Sequence, residues 1–217
     1  MKVFILSSLA GVCAASGASL FINEFHYEND GLDQNEFVEI AVIGSINPAD
    51  YTVSTYNGGD NRELTSVSLA SYTLSAMMDT VTGSGEIVTF YTFDYTASGD
   101  TLQNGPRDGI ALSGPNGLIE FLSYEGVLTA ADGPAAGVTS IDVGVQERDT
   151  AAFTPLSSIA RVGTGDSAGD FTFVLDSAST AGGTNNGQTF LVTSVPEPAS
   201  TVILGLLGAV SLAFRRR

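Results

Sequence analysis

Acidic side chains gather in one short stretch near the N-terminus. Residues 28–36 read Glu-Asn-Asp-Gly-Leu-Asp-Gln-Asn-Glu. Calcium takes six to eight oxygen ligands, and clustered carboxylates in a glycine-bearing loop can supply them. The ligand order differs from that of an EF-hand, so the favoured interpretation is a solvated loop between the first two strands, with no cofactor, in which Asp30-Gly31 turn the chain. If calcium binds, the predicted ligands are Glu28, Asp30, Asp33 and Glu36.

The other residue types that could perform catalysis are scattered. His26 is the single histidine, so a zinc site would lack further nitrogen ligands and a serine triad would depend on this one residue. Glu24 and Glu39 could act as a glycosidase pair, but strand alternation explains them more simply as outward-facing or edge residues. Arg107 and Asp108 are expected to form either a turn-stabilising pair or hydrogen bonds near the start of a strand. We therefore predict no catalytic residue and a non-enzymatic protein.

Short runs of branched and aromatic residues, separated by glycine-rich turns, fill the middle of the chain. This pattern favours strands over helices, and its spacing predicts an all-β antiparallel sandwich over residues 19–192. Two turn sequences, at 57–61 and 113–117, predict hairpins, while the small polar residues of 178–187 predict a flexible loop. The predicted strands are 20–27, 36–43, 51–56, 64–69, 86–93, 110–112, 118–124, 141–145, 158–162, 171–175 and 189–192.

Acidic residues far outnumber basic ones. The chain has 24 Asp and Glu against 8 Lys and Arg, a formal net charge of −16. Between residues 19 and 195 the basic residues are Arg62, Arg107, Arg148 and Arg161. Since nucleic-acid affinity depends on neutralising phosphates, binding of DNA or RNA is disfavoured without a basic partner.

Residues 1–18 have the pattern of a secretory signal peptide. Lys2 supplies the charge, an apolar stretch follows, and Ser16-Gly17-Ala18 offers small side chains for cleavage. Cys13, the only cysteine, lies within this segment, so the mature chain is predicted to have no disulfide.

The C-terminus has three parts in a fixed order. Val195-Pro196-Glu197-Pro198 precedes an uncharged stretch, which continues to Phe214, and Arg215-Arg216-Arg217 closes the chain. As a helix with ~1.5 Å rise per residue, residues 198–214 would span about 25 Å, the short end of what crosses a bilayer. Three arginines after this helix would act as a membrane stop and remain cytoplasmic. The prolines keep the preceding linker, from residue 193, extended and accessible to an enzyme.

This tripartite tail closely resembles the PEP-CTERM sorting signal of Gram-negative bacteria that make exopolysaccharide. The resemblance implies recognition by an exosortase in the inner membrane and cleavage near Pro196-Glu197-Pro198. The mature protein would then reach the cell surface or the extracellular matrix.

A second resemblance concerns the body. Residues 22–25 (Ile-Asn-Glu-Phe), 36–40 (Glu-Phe-Val-Glu-Ile) and 50–53 (Asp-Tyr-Thr-Val) are similar to the opening of a lamin tail domain. Residues 102–112 resemble the subgroup found in bacterial extracellular proteins. This likeness implies an immunoglobulin-like sandwich, often followed in that subgroup by a secreted endonuclease domain.

Together these features predict an exported surface or matrix protein with a binding or scaffolding role, in contact with exopolysaccharide or other surface proteins. Two alternatives remain open. One is an accessory module of an extracellular nuclease system, and the other is a calcium-dependent carbohydrate-binding module.

Overall fold

The computed structural model of the chain describes residues 18–80, 87–98 and 102–191. The predicted signal peptide, apart from Ala18, and the whole predicted sorting tail lie outside these residues. None of the helices in the described ranges has both the length and the apolar character needed to cross a membrane. The predicted membrane helix at 198–214 therefore stays a prediction.

The described chain forms two β-sheets with almost no helix. The first sheet has the order β11-β10-β1-β2-β6-β5, with β12 also paired to β10, and the second has the order β4-β3-β7-β8-β9. A single α-helical turn, α1 (Tyr95–Ser98), follows β6. The strands are β1 (Ser19–His26), β2 (Phe37–Ile43), β3 (Thr52–Asn57), β4 (Arg62–Ser68), β5 (Thr73–Thr80), β6 (Ile87–Asp94), β7 (Gly109–Gly114), β8 (Gly117–Ser123), β9 (Ile141–Asp142), β10 (Ser158–Gly165), β11 (Phe171–Asp176) and β12 (Gln188–Phe190).

The main core lies between the two sheets and follows from strand alternation. Val38, Ile40 and Val42 of β2 are buried in one apolar cluster with Val53 of β3 and Ile110 of β7. Side chains two residues apart share a sheet face, so each strand contributes every second residue to this layer. The predicted all-β sandwich is confirmed.

A second apolar cluster lies on the outer face of the first sheet. Phe21 and Phe90 from its strands meet Phe171 and Phe190, with ring centroids 5.4–6.4 Å apart. Phe190 belongs to β12, which runs parallel to β10. Its side chain is buried there, with 5% of its surface exposed. The last strand thus covers a sheet face that would otherwise be open to solvent.

The strand predictions agree closely with the structure, with two exceptions. The edge strand β5, Thr-Leu-Ser-Ala-Met-Met-Asp-Thr, was not predicted, because it has few of the branched and aromatic residues that indicate a strand. The predicted strand at 141–145 is wrong in length, because only Ile141–Asp142 pair, in parallel with β8.

Candidate functional site

The C-terminal strand fixes where the predicted sorting tail leaves the fold. Gly163, Thr164 and Gly165 of β10 are in register with β12, and the backbone N–H of Leu191 donates to Gly165 O at 2.9 Å. Val195, Pro196, Glu197, Pro198 and the membrane-stop residues Arg215, Arg216 and Arg217 lie beyond the described residues. The described structure therefore gives the tail's point of departure.

The N-terminal strand begins at the same end of the sandwich. Ser19 is in register with Ile43 at the end of β2. Because β10 runs antiparallel to β1, with Glu24 opposite Ala160, the end of β10 at Gly165 lies toward Ser19. We call this the exit end; it comprises residues 18–19, 44–51, 114–117 and 165–170 and both points where the chain leaves the sandwich.

The acidic loop 28–36 lies at the opposite end, which we call the far end. Asp33 Oδ2 accepts a hydrogen bond from Asn104 Nδ2 at 2.9 Å, and Glu36 is 1% exposed. Burial, followed by repulsion from Asp33, raises the pKa of Glu28 and of Glu36 to about 7. Asp30 is exposed, and its backbone N–H donates to Phe153 O. Three of the four predicted calcium ligands are thus close enough to repel one another, while Asp30 faces solvent.

The metal prediction receives no support from the described geometry. Within residues 18–80, 87–98 and 102–191, no group of three or more His, Cys, Asp and Glu side chains is arranged to hold a metal ion. The calcium site remains a prediction.

His26 belongs to a buried structural pair. Its Nδ1 lies 2.7 Å from Glu147 Oε1, and both side chains are fully buried. Burial lowers the pKa of His26, but the hydrogen bond and the charge of Glu147 outweigh burial, so the pKa is raised. Glu147 Oε2 also accepts the backbone N–H groups of Tyr27 and Glu28. The pair holds loop 143–157 against the end of β1.

Glu24 and Glu39 are neighbours in register on β1 and β2. Glu39 lies on the face opposite Val38 and Ile40, as alternation predicts, yet both carboxyl groups are 0% exposed. The prediction that they face outward from the main core agrees with this placement, but β1 and β2 are interior strands, so the edge alternative is wrong, and the outward-facing carboxyl groups are covered. Burial, followed by repulsion from Glu24, raises the pKa of Glu39 to about 8.

The loop that buries them is the one predicted to be flexible. In this covering loop (residues 177–187), Thr180 donates to Glu24 through its N–H and its hydroxyl, both at 2.9 Å. Gly182 N donates to Glu39 Oε2, and Asn185, 2% exposed, donates its amide to Asn23 O and Arg161 O. The loop is irregular but docked, because its polar groups satisfy carboxylates and carbonyls of the sheet.

Arg161 and Glu120 form an ion pair that links the two sheets. Arg161 Nη2 donates to Glu120 Oε1, its Nε donates to Ile22 O at 2.7 Å, and its guanidinium lies 4.3 Å from the Phe173 ring centroid. This pair was not predicted from the sequence, where its one signal is a lone arginine in the apolar run of β10. A groove of about 360 Å³ opens beside the pair and is lined largely by Leu122, Ile141, Val143, Phe171 and Phe173.

Arg107 and Asp108 form the predicted hydrogen bonds near the start of a strand, β7. Asp108 Oδ1 accepts from Gly58 N and Oδ2 from Gly105 N, each at 2.6 Å, and Arg107 Nη2 donates to Gly58 O. A Cβ on Gly58 would lie 2.6 Å from Arg107 O, so this close approach requires glycine. The residues join the loop before β7 to the turn after β3.

Comparison with known protein families identifies the C-terminal segment. Residues 194–217 match the model of the PEP-CTERM protein-sorting motif. No curated protein and no solved structure matches the chain. The lamin-tail likeness thus has no support from these comparisons, whereas the sorting motif is present at the predicted place.

Proposed function

We propose that this chain is an exported, non-enzymatic surface or extracellular-matrix protein whose tail is cut by an exosortase. The observation that carries the proposal is the match of residues 194–217 to the PEP-CTERM protein-sorting motif. A PEP-CTERM signal is recognised by exosortase, so the protein is exported through the membrane and processed at the cell envelope. The motif begins three residues after Leu191, the last residue that the structure describes.

The body's role in this proposal is binding or scaffolding. Its buried ionisable groups support this view, since Glu24, Glu39, His26 and Glu147 are occupied by hydrogen bonds that join loops to strands. A general acid or base must reach the proton that it transfers, and these groups are closed off from solvent. We further propose a lamin-tail-like, immunoglobulin-like sandwich from a Gram-negative bacterium, in contact with exopolysaccharide or surface proteins.

Mutation of the motif tests the sorting proposal. We expect Glu197→Ala, expressed with the cognate exosortase, to prevent cleavage and to leave the full-length chain in the inner membrane. The matched change Glu63→Ala, in strand β4, should leave cleavage intact. The measurement is the intact mass of the protein in the membrane and extracellular fractions. Cleavage of the Glu197→Ala variant at the wild-type level would contradict the proposal.

A further inference from the structure

Both segments that would connect this protein to the membrane leave the sandwich at the exit end. Ser19 begins β1 there, and Leu191 ends the described chain beside Gly165. Ala18 and Ser19 line a cavity together with Pro115 and Asn116 of the β7–β8 hairpin. The exit end therefore presents this hairpin and the turn between β10 and β11 around the two departure points.

The tether between the fold and the cleavage motif is short. Leu191 and Pro196 are five residues apart in the sequence. A fully extended chain spans at most ~3.3–3.6 Å per residue, so this tether reaches about 18 Å at most. Because Leu191 is fixed to Gly165 and its neighbour Phe190 is buried among aromatic rings, little extra length is available. The sandwich must stand close to the place where the tail enters the membrane.

The two ends differ sharply in charge. Among the described residues of the exit end and the strand ends that reach it, the charged residues are Asp50, Asp79, Asp166 and Asp170, and Asp79 is placed there by its register with Val88, which pairs with Ile43. The far end and the strand ends that reach it contain many more carboxyl groups, with Arg62, Arg107 and Arg148 as the basic residues beside them. Those carboxyl groups belong to Glu28, Asp30, Asp33, Glu36, Asp60, Asp94, Asp108, Glu125, Asp132, Asp142, Glu147, Asp149 and Asp176.

The charge difference between the two ends affects the orientation of the sandwich, because the tether keeps the sandwich close to the bilayer. Electrostatic interactions decay over a Debye length of about 8 Å at physiological salt, so charges near the bilayer dominate the interaction with it. Turning the far end toward anionic headgroups would bring many carboxylates within that length. Turning the exit end toward them brings few. The electrostatic free energy and the tether thus favour the same orientation.

We propose that the exit end is a membrane-facing surface: until the tail is cut, the sandwich stands with this end on the lipid headgroups and its acidic far end outward. The inference rests on the proposed function, because it requires the tail to be inserted in a bilayer. It goes further in assigning the contact face of the body and the class of surface that it meets. It also leaves the far end free to meet partners outside the membrane.

Energy transfer to the bilayer tests this orientation. The chain from Ser19 to Arg217 contains no cysteine, so Asn116→Cys at the exit end and Leu32→Cys at the far end each give one labelling site. Both native side chains are exposed, Leu32 to 84%, and neither change alters the charge. Each labelled chain is inserted by its tail into vesicles of phosphatidylcholine and phosphatidylglycerol that carry an acceptor lipid.

We expect more energy transfer from position 116 than from position 32. Strands of seven or eight residues, at ~3.3 Å per residue, separate the two ends by roughly 20 Å, enough to resolve the difference. Adding a spacer of roughly 20 Gly and Ser residues after Leu191 should reduce the difference, because a longer flexible tether lets the body turn and move away. High salt should also reduce it, because salt screens the repulsion.

The possible outcomes distinguish the orientation of the sandwich from the insertion of the tail in the membrane. Equal transfer from both positions, or more from position 32, in chains that float with the vesicles overturns the orientation alone. A chain that fails to float with the vesicles overturns the tail's membrane role and, with it, this inference.

Discussion

Two carboxyl groups, those of Glu24 and Glu39, lie buried side by side on the outer face of the first sheet. Asn23 donates to Glu39 Oε1, and Thr92 and Gly182 donate to Glu39 Oε2, so both oxygens of this carboxyl group accept hydrogen bonds. Burial and the neighbouring Glu24 nevertheless favour its neutral form and raise its pKa to about 8. The free energy of unfolding should therefore depend on pH.

The sign follows from proton linkage. Because the pKa of Glu39 is raised in the folded state, its favourable contribution is full below the unfolded value of 4.5 and is lost as pH rises through about 8. We expect the free energy of unfolding of residues 19–194 to fall by a few kcal/mol between about pH 5 and about pH 9, at ~1.4 kcal/mol per pKa unit. Glu39→Gln should flatten the fall between about pH 5 and about pH 8, whereas Glu63→Gln should not. Urea titrations at each pH measure this, and a wild-type stability that rises with pH would contradict it.

The His26–Glu147 pair gives a second residue-level prediction. Glu147→Ala removes the acceptor of His26 and of two backbone N–H groups, and breaking a buried pair costs about 3–5 kcal/mol. Chemical denaturation of Glu147→Ala and of Asp50→Ala, an exposed control at the exit end, measures the difference. If the Ala variant cannot be purified folded, Glu147→Gln should be less destabilised because it keeps one acceptor oxygen. A loss below about 1 kcal/mol for Glu147→Ala would contradict the structural role.

Calcium is the third test at this scale. A ligand that binds only the folded protein raises its melting temperature. Because a solvated loop is the favoured interpretation of residues 28–36, we expect millimolar calcium to leave the melting curve of residues 19–194 unchanged. A clear increase that Asp33→Asn abolishes would instead establish the predicted site around Glu28, Asp33 and Glu36.

At the scale of elements, most strands could be predicted because they alternate. The alternating residues Val38, Ile40 and Val42 predict a strand with one face in the core, and the turn sequence at 57–61 predicts a hairpin. The docking of the covering loop could not be predicted, because its small polar residues are typical of solvated loops. Its partners on β1 and β2 are about 140 to 160 residues away in the sequence, and local patterns carry no information on such contacts.

Asn185 tests whether the covering loop depends on this docking. Asn185→Ala removes two donated hydrogen bonds to buried carbonyls, and orphaning buried acceptors costs about 1–3 kcal/mol each. We expect faster amide hydrogen exchange across residues 177–187. The adjacent exposed Asn186 supplies the matched control, Asn186→Ala, which should change exchange little. Equal protection in both variants would mean that the loop is held by other contacts.

At the scale of the whole molecule, the chain has an acidic body with both departure points at one end. The sorting signal could be predicted because three simple features stand in order within residues 195–217, and the motif match confirms it. The ligand could not be predicted, because the features that would select one are spread over loops from separate parts of the chain.

The most direct test of sorting is the intact mass of the mature protein from its native cells. We predict a surface or extracellular form that starts near Ser19 and ends within Pro196–Pro198, so that residues 1–18 and roughly 20 C-terminal residues have been removed. A full-length chain in the cytosol, with both Met1 and Arg217 present, would contradict it.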